Sequence, residues 1–217
     1  MASRKTMIFA AAVLAVAAAL AAVRWLPVLR ADKPEVVTLT AAPFHGAVVD
    51  PAVRAPQIEL LDHRERPFDL HAETSKGNVV VLFFGYTSCP DVCPTTLAHH
   101  KQVKQLMGDL AQRVRFVMVS VDPERDSRQR MAQYVEAFDP DFIGLTGSLE
   151  ELKPVWDAYN VVPRKEEVPG SALGYAVSHP AFTYVVDLQG NVRLVHFLGM
   201  PADAVVEDLT ALLNERA

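Results

Sequence analysis

Apolar residues are grouped in two ways along this chain. The run 7–23 is uncharged and rich in alanine, whereas beyond about residue 56 short apolar stretches alternate with longer amphipathic ones. The strongest short stretch, Val79-Val80-Val81-Leu82-Phe83-Phe84, is apolar throughout and rich in β-branched residues, the pattern of a strand buried on both faces. A helix follows from 95 to about 113, with Leu97, Val103, Leu106 and Leu110 near helical spacing. The alternation continues with a strand at 114–121 and a helix at 127–138, which Ser127 is suited to cap. Next come a short strand at 142–145 and a helix at 148–159, whose first turn carries Glu150 and Glu151. The stretches 182–186 and 192–197 flank Leu188-Gln189-Gly190-Asn191 and predict an antiparallel hairpin; a last helix runs from 201 to about 214. Near the start, 57–61 and 67–70 lie either side of the charged Asp62-His63-Arg64-Glu65-Arg66 and predict a short hairpin.

This order of elements predicts an α/β sandwich: a mixed central sheet covered by helices on both faces, with an N-terminal hairpin added to it. The proline-punctuated stretch 30–54 is expected to be a linker, leaving 55–217 as one domain large enough for a real core. Residues 1–29 read as a targeting segment. Its 17-residue apolar run is at the short end of the roughly 17–25 that span a bilayer, and longer than the roughly 7–15 of a signal peptide. Ala19 and Ala21 offer a cleavage site, so a signal peptide stays open; the length of the run and Trp25 favour a single uncleaved transmembrane anchor. Under either reading Arg4 and Lys5 hold the N-terminus in the cytoplasm and the rest is exported. The expected location is a bacterial inner membrane, with the domain facing the periplasm.

The net charge is −5, and Arg4, Lys5, Arg24 and Arg30 all precede position 31. Removing these four leaves 17 basic against 26 acidic residues, a charge of −9 on the exported part. No basic stripe remains for nucleic acid, and phosphate-binding roles are disfavoured.

The chain has two cysteines, both in Cys89-Pro90-Asp91-Val92-Cys93-Pro94, where the buried strand hands over to a helix. A helix N-terminus stabilises a thiolate, and Pro94 suits the first helical turn. In an oxidising compartment the pair can close one small disulfide or clamp one soft metal ion. Two sulfurs under-coordinate a metal, so the seven histidines matter. His45 lies in the linker; His63 and His71, around the first hairpin, read as surface residues. His99 and His100 follow the motif on its helix, facing solvent or neighbouring side chains, and His196 reads as a strand position. His179, in the loop before the 182–186 strand, is best placed to fold over the cysteine turn, although a loop histidine bonded to backbone fits equally well. Met107, Met118, Met131 and Met200 read as packing residues.

Three motifs occur in order: Gly85-Tyr86-Thr87-Ser88-Cys89-Pro90-Asp91-Val92-Cys93-Pro94, then Val121-Asp122-Pro123-Glu124-Arg125-Asp126, then His179 ahead of Phe182-Thr183-Tyr184-Val185-Val186-Asp187. Together they resemble the Sco/SenC family, membrane-tethered, thioredoxin-like copper proteins that help assemble cytochrome c oxidase. The resemblance covers roughly residue 55 to the C-terminus. It implies one copper per monomer, Cu(I) or Cu(II), held by Cys89, Cys93 and His179, with a Cys89–Cys93 disulfide in the oxidised form. It also implies delivery to the binuclear centre of cytochrome c oxidase subunit II or another copper-accepting protein. Such proteins usually carry an acid before the histidine and a small hydroxyl residue after it; here Ser178 and Pro180 stand there, which bears on how the imidazole is held. Asp122 is a candidate for supporting the site from behind the ligands, against a reading as an ordinary helix-entry loop residue. A thiol–disulfide oxidoreductase using the same cysteines is the alternative function, and zinc would need a fourth donor that the motifs do not supply.

Overall fold

The computed structural model describes residues 44–171 and 173–215. The anchor expected over 1–29 and most of the expected linker lie outside these residues; among the described residues no helix is long and apolar enough to cross a membrane. The centre of the fold is β4 (Val79–Gly85), which is buried along its whole length. It pairs in parallel with β5 (Val114–Ser120), and β5 in parallel with β6 (Ile143–Leu145). On its other side β4 meets β9 (Thr183–Val186) antiparallel, β9 meets β10 (Asn191–His196), and β10 meets β1 (Ala47–Arg54). The result is one mixed sheet of six strands in the order β1-β10-β9-β4-β5-β6.

Successive side chains of β4 point to opposite faces. The Phe83 ring meets His100 of α2 (Val92–Met107), while the Phe84 ring meets Tyr159, the cap of α4 (Leu149–Ala158). The two helices therefore cover opposite faces, which explains why β4 tolerates no polar position. Around them stand α1 (Leu70–Ser75), α3 (Arg128–Phe138) and α5 (Ala202–Asn214), with two small hairpins, β2–β3 (Glu59–Leu61, Pro67–Asp69) and β7–β8 (Arg164–Glu167, Tyr175–Ser178). Local chemistry sets the helix starts. Ser127 accepts from Arg130 N–H, and Ser148 forms a reciprocal capping box with Glu151.

Three expectations need correction. Residues 47–54, read as linker, form the edge strand β1, and Asp208 of α5 fastens its start by accepting from His45 N–H (2.7 Å) and Gly46 N–H (2.9 Å). The third donor to Asp208 is His196 at 2.9 Å, so that strand histidine is also a buried tie. His63 is buried rather than on the surface, because its Nδ1 accepts from Gly144 N–H at 3.0 Å and its Nε2 meets Glu136. Of the two settings left open for His100, solvent or neighbouring side chains, it takes the second, buried against Phe83 and Phe116. The helix after the cysteine motif starts at Val92, three residues early, and ends at Met107, the remainder to Arg113 winding as a 3-10 turn. Cys93 thus lies inside the first helical turn.

Candidate metal centre

The site is built where β4 ends. Cys89 N–H donates to Tyr86 carbonyl at 3.2 Å, closing a tight turn between Gly85 and α2. Asp91, at the N-cap position, makes no side-chain cap bond; instead Cys93 N–H points at Cys89 Sγ, 3.4 Å away. Cys89 therefore takes the place of a capping oxygen, where unpaired helix N–H groups favour negative charge. Its thiol is pulled down to about 5, chiefly by a hydrogen bond from the Cys93 thiol, then by backbone N–H groups of Asp91 and Cys93 and by the Tyr86 hydroxyl. Cys93 is fully buried, and the same hydrogen bond, with burial, pushes its thiol up. The pair is asymmetric: Cys89 is an accessible thiolate and Cys93 a covered thiol.

The turn is held from below by Asp126. Its buried carboxylate accepts from Thr87 N–H (3.1 Å), Thr87 Oγ1 (2.6 Å) and Ser120 Oγ (2.6 Å), joining the ends of β4 and β5. Burial raises its pKa. Arg130 donates to Thr87 Oγ1 (2.7 Å) and Ser88 Oγ (3.1 Å) from the solvent side. Asp126 belongs to the second motif, but sequence reading singled out Asp122 there; a carboxylate's neighbours across 39 residues of chain leave no local signal.

Asp122 is buried and occupied elsewhere. Its carboxylate takes Arg125 Nε and the Tyr175 hydroxyl (2.9 Å), tying the 122–126 loop to β8. His179 lies on the same end of the sheet as the cysteines, its ring edge-on to Tyr86 at 6.0 Å between centroids and to Phe83 at 6.4 Å. Its Nδ1 is 2.9 Å from the Pro180 carbonyl, which only accepts, so Nδ1 carries the proton and Nε2 keeps its lone pair. Burial lowers its pKa, against opposing pulls from Pro180 and from Cys89. Among the described residues no three His, Cys, Asp or Glu side chains stand as a ready-made metal cluster. The fold thus brings the two sulfurs together and His179 to their end of the sheet, without closing the three donors on one point. His99, His45 and His71 take no part in this centre; His45 pairs with Glu207 at 2.7 Å.

A family model described as SCO1/SenC matches residues 49–214. The chain belongs to the SCO1/SenC family. Among solved members, ScoI of Bradyrhizobium japonicum with copper bound is 33% identical with a TM-score of 0.66, covering 74% of this chain and 99% of that one. Apo Sco1 of Thermus thermophilus is 35% identical with a TM-score of 0.68, covering 78% and 96%. The SCO2-like protein of Rickettsia conorii is 33% identical over 139 residues, 64% of this chain and 66% of that protein. The chain thus spans about two thirds of the length of the curated relatives it matches. The six-stranded mixed sheet is the thioredoxin-like α/β fold of this SCO1/SenC group.

Proposed function

We propose that the protein is a copper chaperone of cytochrome c oxidase assembly, binding one Cu(I) or Cu(II) per monomer through Cys89, Cys93 and His179. The carrying observation is the paired sulfurs at the start of α2, one already acidic, with the free Nε2 of His179 on the same rim. Soft thiolates and a neutral imidazole suit Cu(I), and ScoI of Bradyrhizobium japonicum was solved with copper bound. Bringing His179 Nε2 onto the two sulfurs would complete a three-donor site. A low-coordinate ion at the surface would be open to an incoming thiolate, which suits transfer by ligand exchange; the family role makes subunit II of the oxidase the proposed recipient. In this reading the run 7–23 tethers the domain to the periplasmic face of a bacterial inner membrane.

Anaerobic Cu(I) titration tests the proposal. One equivalent binds the wild type, none binds tightly to Cys89→Ser/Cys93→Ser, and His179→Ala binds more weakly. Full retention by the double serine variant ends the copper reading. The cysteine asymmetry also supports a second activity, thiol–disulfide exchange: Cys89 thiolate attacks a partner disulfide and displaces one partner sulfur as thiolate. Cys93, losing its proton, then attacks Cys89 Sγ, forming the Cys89–Cys93 bond and releasing the second partner sulfur, so the partner leaves as a dithiol. That reduction survives His179→Ala, whereas copper affinity falls.

A further inference from the structure

The hairpin β7–β8 ends one residue before His179, yet it is poorly anchored by packing. It pairs only with itself, outside the main sheet. β7, Arg164-Lys165-Glu166-Glu167, is exposed at every position, and the single buried side chain on the two strands is Val177. What fastens it is mostly polar: beside an ion pair of Lys165 with Glu124 at 2.5 Å, several contacts pass through one residue. Arg125 pairs through Nε with buried Asp122, and its Nη1 donates to the carbonyls of Leu173 (3.1 Å) and Tyr175 (3.0 Å). Its guanidinium carbon lies 3.7 Å from the centroid of the Tyr175 ring and 5.6 Å from that of Tyr86. Tyr175 returns the contact by donating to the second oxygen of Asp122 at 2.9 Å. Tyr86 completes the circuit: its hydroxyl accepts from Val177 N–H at 3.3 Å and hydrogen-bonds Cys89, while its ring abuts His179.

We propose that Arg125 is a positioning residue for the metal centre, clasping the β7–β8 hairpin so that His179 stays within reach of Cys89. Planar guanidinium chemistry is what the place demands, since one group must meet a carboxylate, two carbonyls and an aromatic face together. The inference rests on the copper reading above and adds to it how the third donor is held. It also accounts for Asp122, whose buried charge serves the clasp.

The test is a double-mutant cycle on the full-length chain. Cu(I) affinity is measured by competition for wild type, Arg125→Ala, His179→Ala and the pair, and the nitrogen hyperfine splitting of the Cu(II) EPR spectrum is recorded for each. Arg125→Ala is expected to weaken Cu(I) binding about tenfold, the usual scale for a group supporting a ligand. It should cost nothing further once His179 is gone, and the nitrogen splitting should fade while one copper still binds. Arg125→Ala/Asp122→Asn removes the uncompensated buried charge and should give the same result if the single variant folds poorly. A tenfold loss equal in both backgrounds, or wild-type affinity in Arg125→Ala beside a weakened His179→Ala, overturns the clasp alone. Wild-type affinity in His179→Ala overturns the histidine reading and the clasp with it.

Discussion

Copper binding at neutral pH is expected to release one proton from this protein, not two. The Cys89 thiol titrates at about 5, so at pH 7 about 99% of it is already thiolate. Cys93 moves the other way, kept protonated by burial and by the hydrogen bond it donates to Cys89. His179, its pKa lowered by burial, is neutral at pH 7 and offers Nε2 without losing a proton. A copper ion held as proposed would therefore displace the Cys93 proton alone. Two unperturbed thiols, with pKa about 8.5, would both be protonated at pH 7 and would give up roughly two protons. The sign is set by the depressed value: the Cys89 proton is lost as pH rises through about 5, so the count climbs from one towards two only below that point. Anaerobic calorimetry of Cu(I) binding in two buffers of different ionisation enthalpy yields the number directly. Alkylation is an independent check, since the Cys89 rate should be flat between pH 6 and 8 and should fall at pH 7 in Cys93→Ala, which removes the main donor. Release of two protons at pH 7, with an alkylation rate still climbing tenfold per pH unit, would refute the asymmetry and the capping geometry behind it.

Two further outcomes follow from the packing around the site. In Gly85→Ala the new Cβ would stand 2.6 Å from Phe83 Cε1 and 3.1 Å from Cys93 Sγ; overpacking of this kind costs about 1–3 kcal/mol. Urea denaturation should show that loss together with altered Cys93 reactivity, and an unchanged protein would mean the strand end has slack. His100 is buried with its pKa pushed down to about 3, so between pH 6.5 and 3 the unfolded chain takes up a proton that the folded chain refuses. Its contribution is complete above pH 6.5 and is lost as pH falls, at about 1.4 kcal/mol per pH unit. Unfolding midpoints from pH 6.5 to 4 should fall less steeply in His100→Leu than in the wild type.

Much of the frame is readable locally. β4 is an unbroken apolar run because both its faces are covered, and Ser127 and Ser148 start their helices by bonding N–H groups three residues on. The cysteine motif at a strand-to-helix junction already carries its chemistry, because a helix start favours a thiolate wherever it occurs. Other features leave no local trace. β1 is mostly exposed and lies at an edge, so it lacks the alternation that marks a half-buried strand. The same holds for β7, whose four charged residues form a strand only because β8 supplies its hydrogen bonds. His63 looks like a surface residue until Gly144 and Glu136 close around it, and His100 stays open between solvent and its neighbours until Phe83 and Phe116 bury it.

The roles of Asp122, Arg125 and Asp126 separate only in three dimensions. One carboxylate is turned to a hairpin about fifty residues ahead and the other to the cysteine turn about forty behind. Residue order alone determined which atoms are able to bind a soft metal, since reactivity belongs to side-chain type and helix position. Which of them share an end of the sheet, and what holds them there, was decided by tertiary contacts, because burial and long-range hydrogen bonds arise only when distant segments pack.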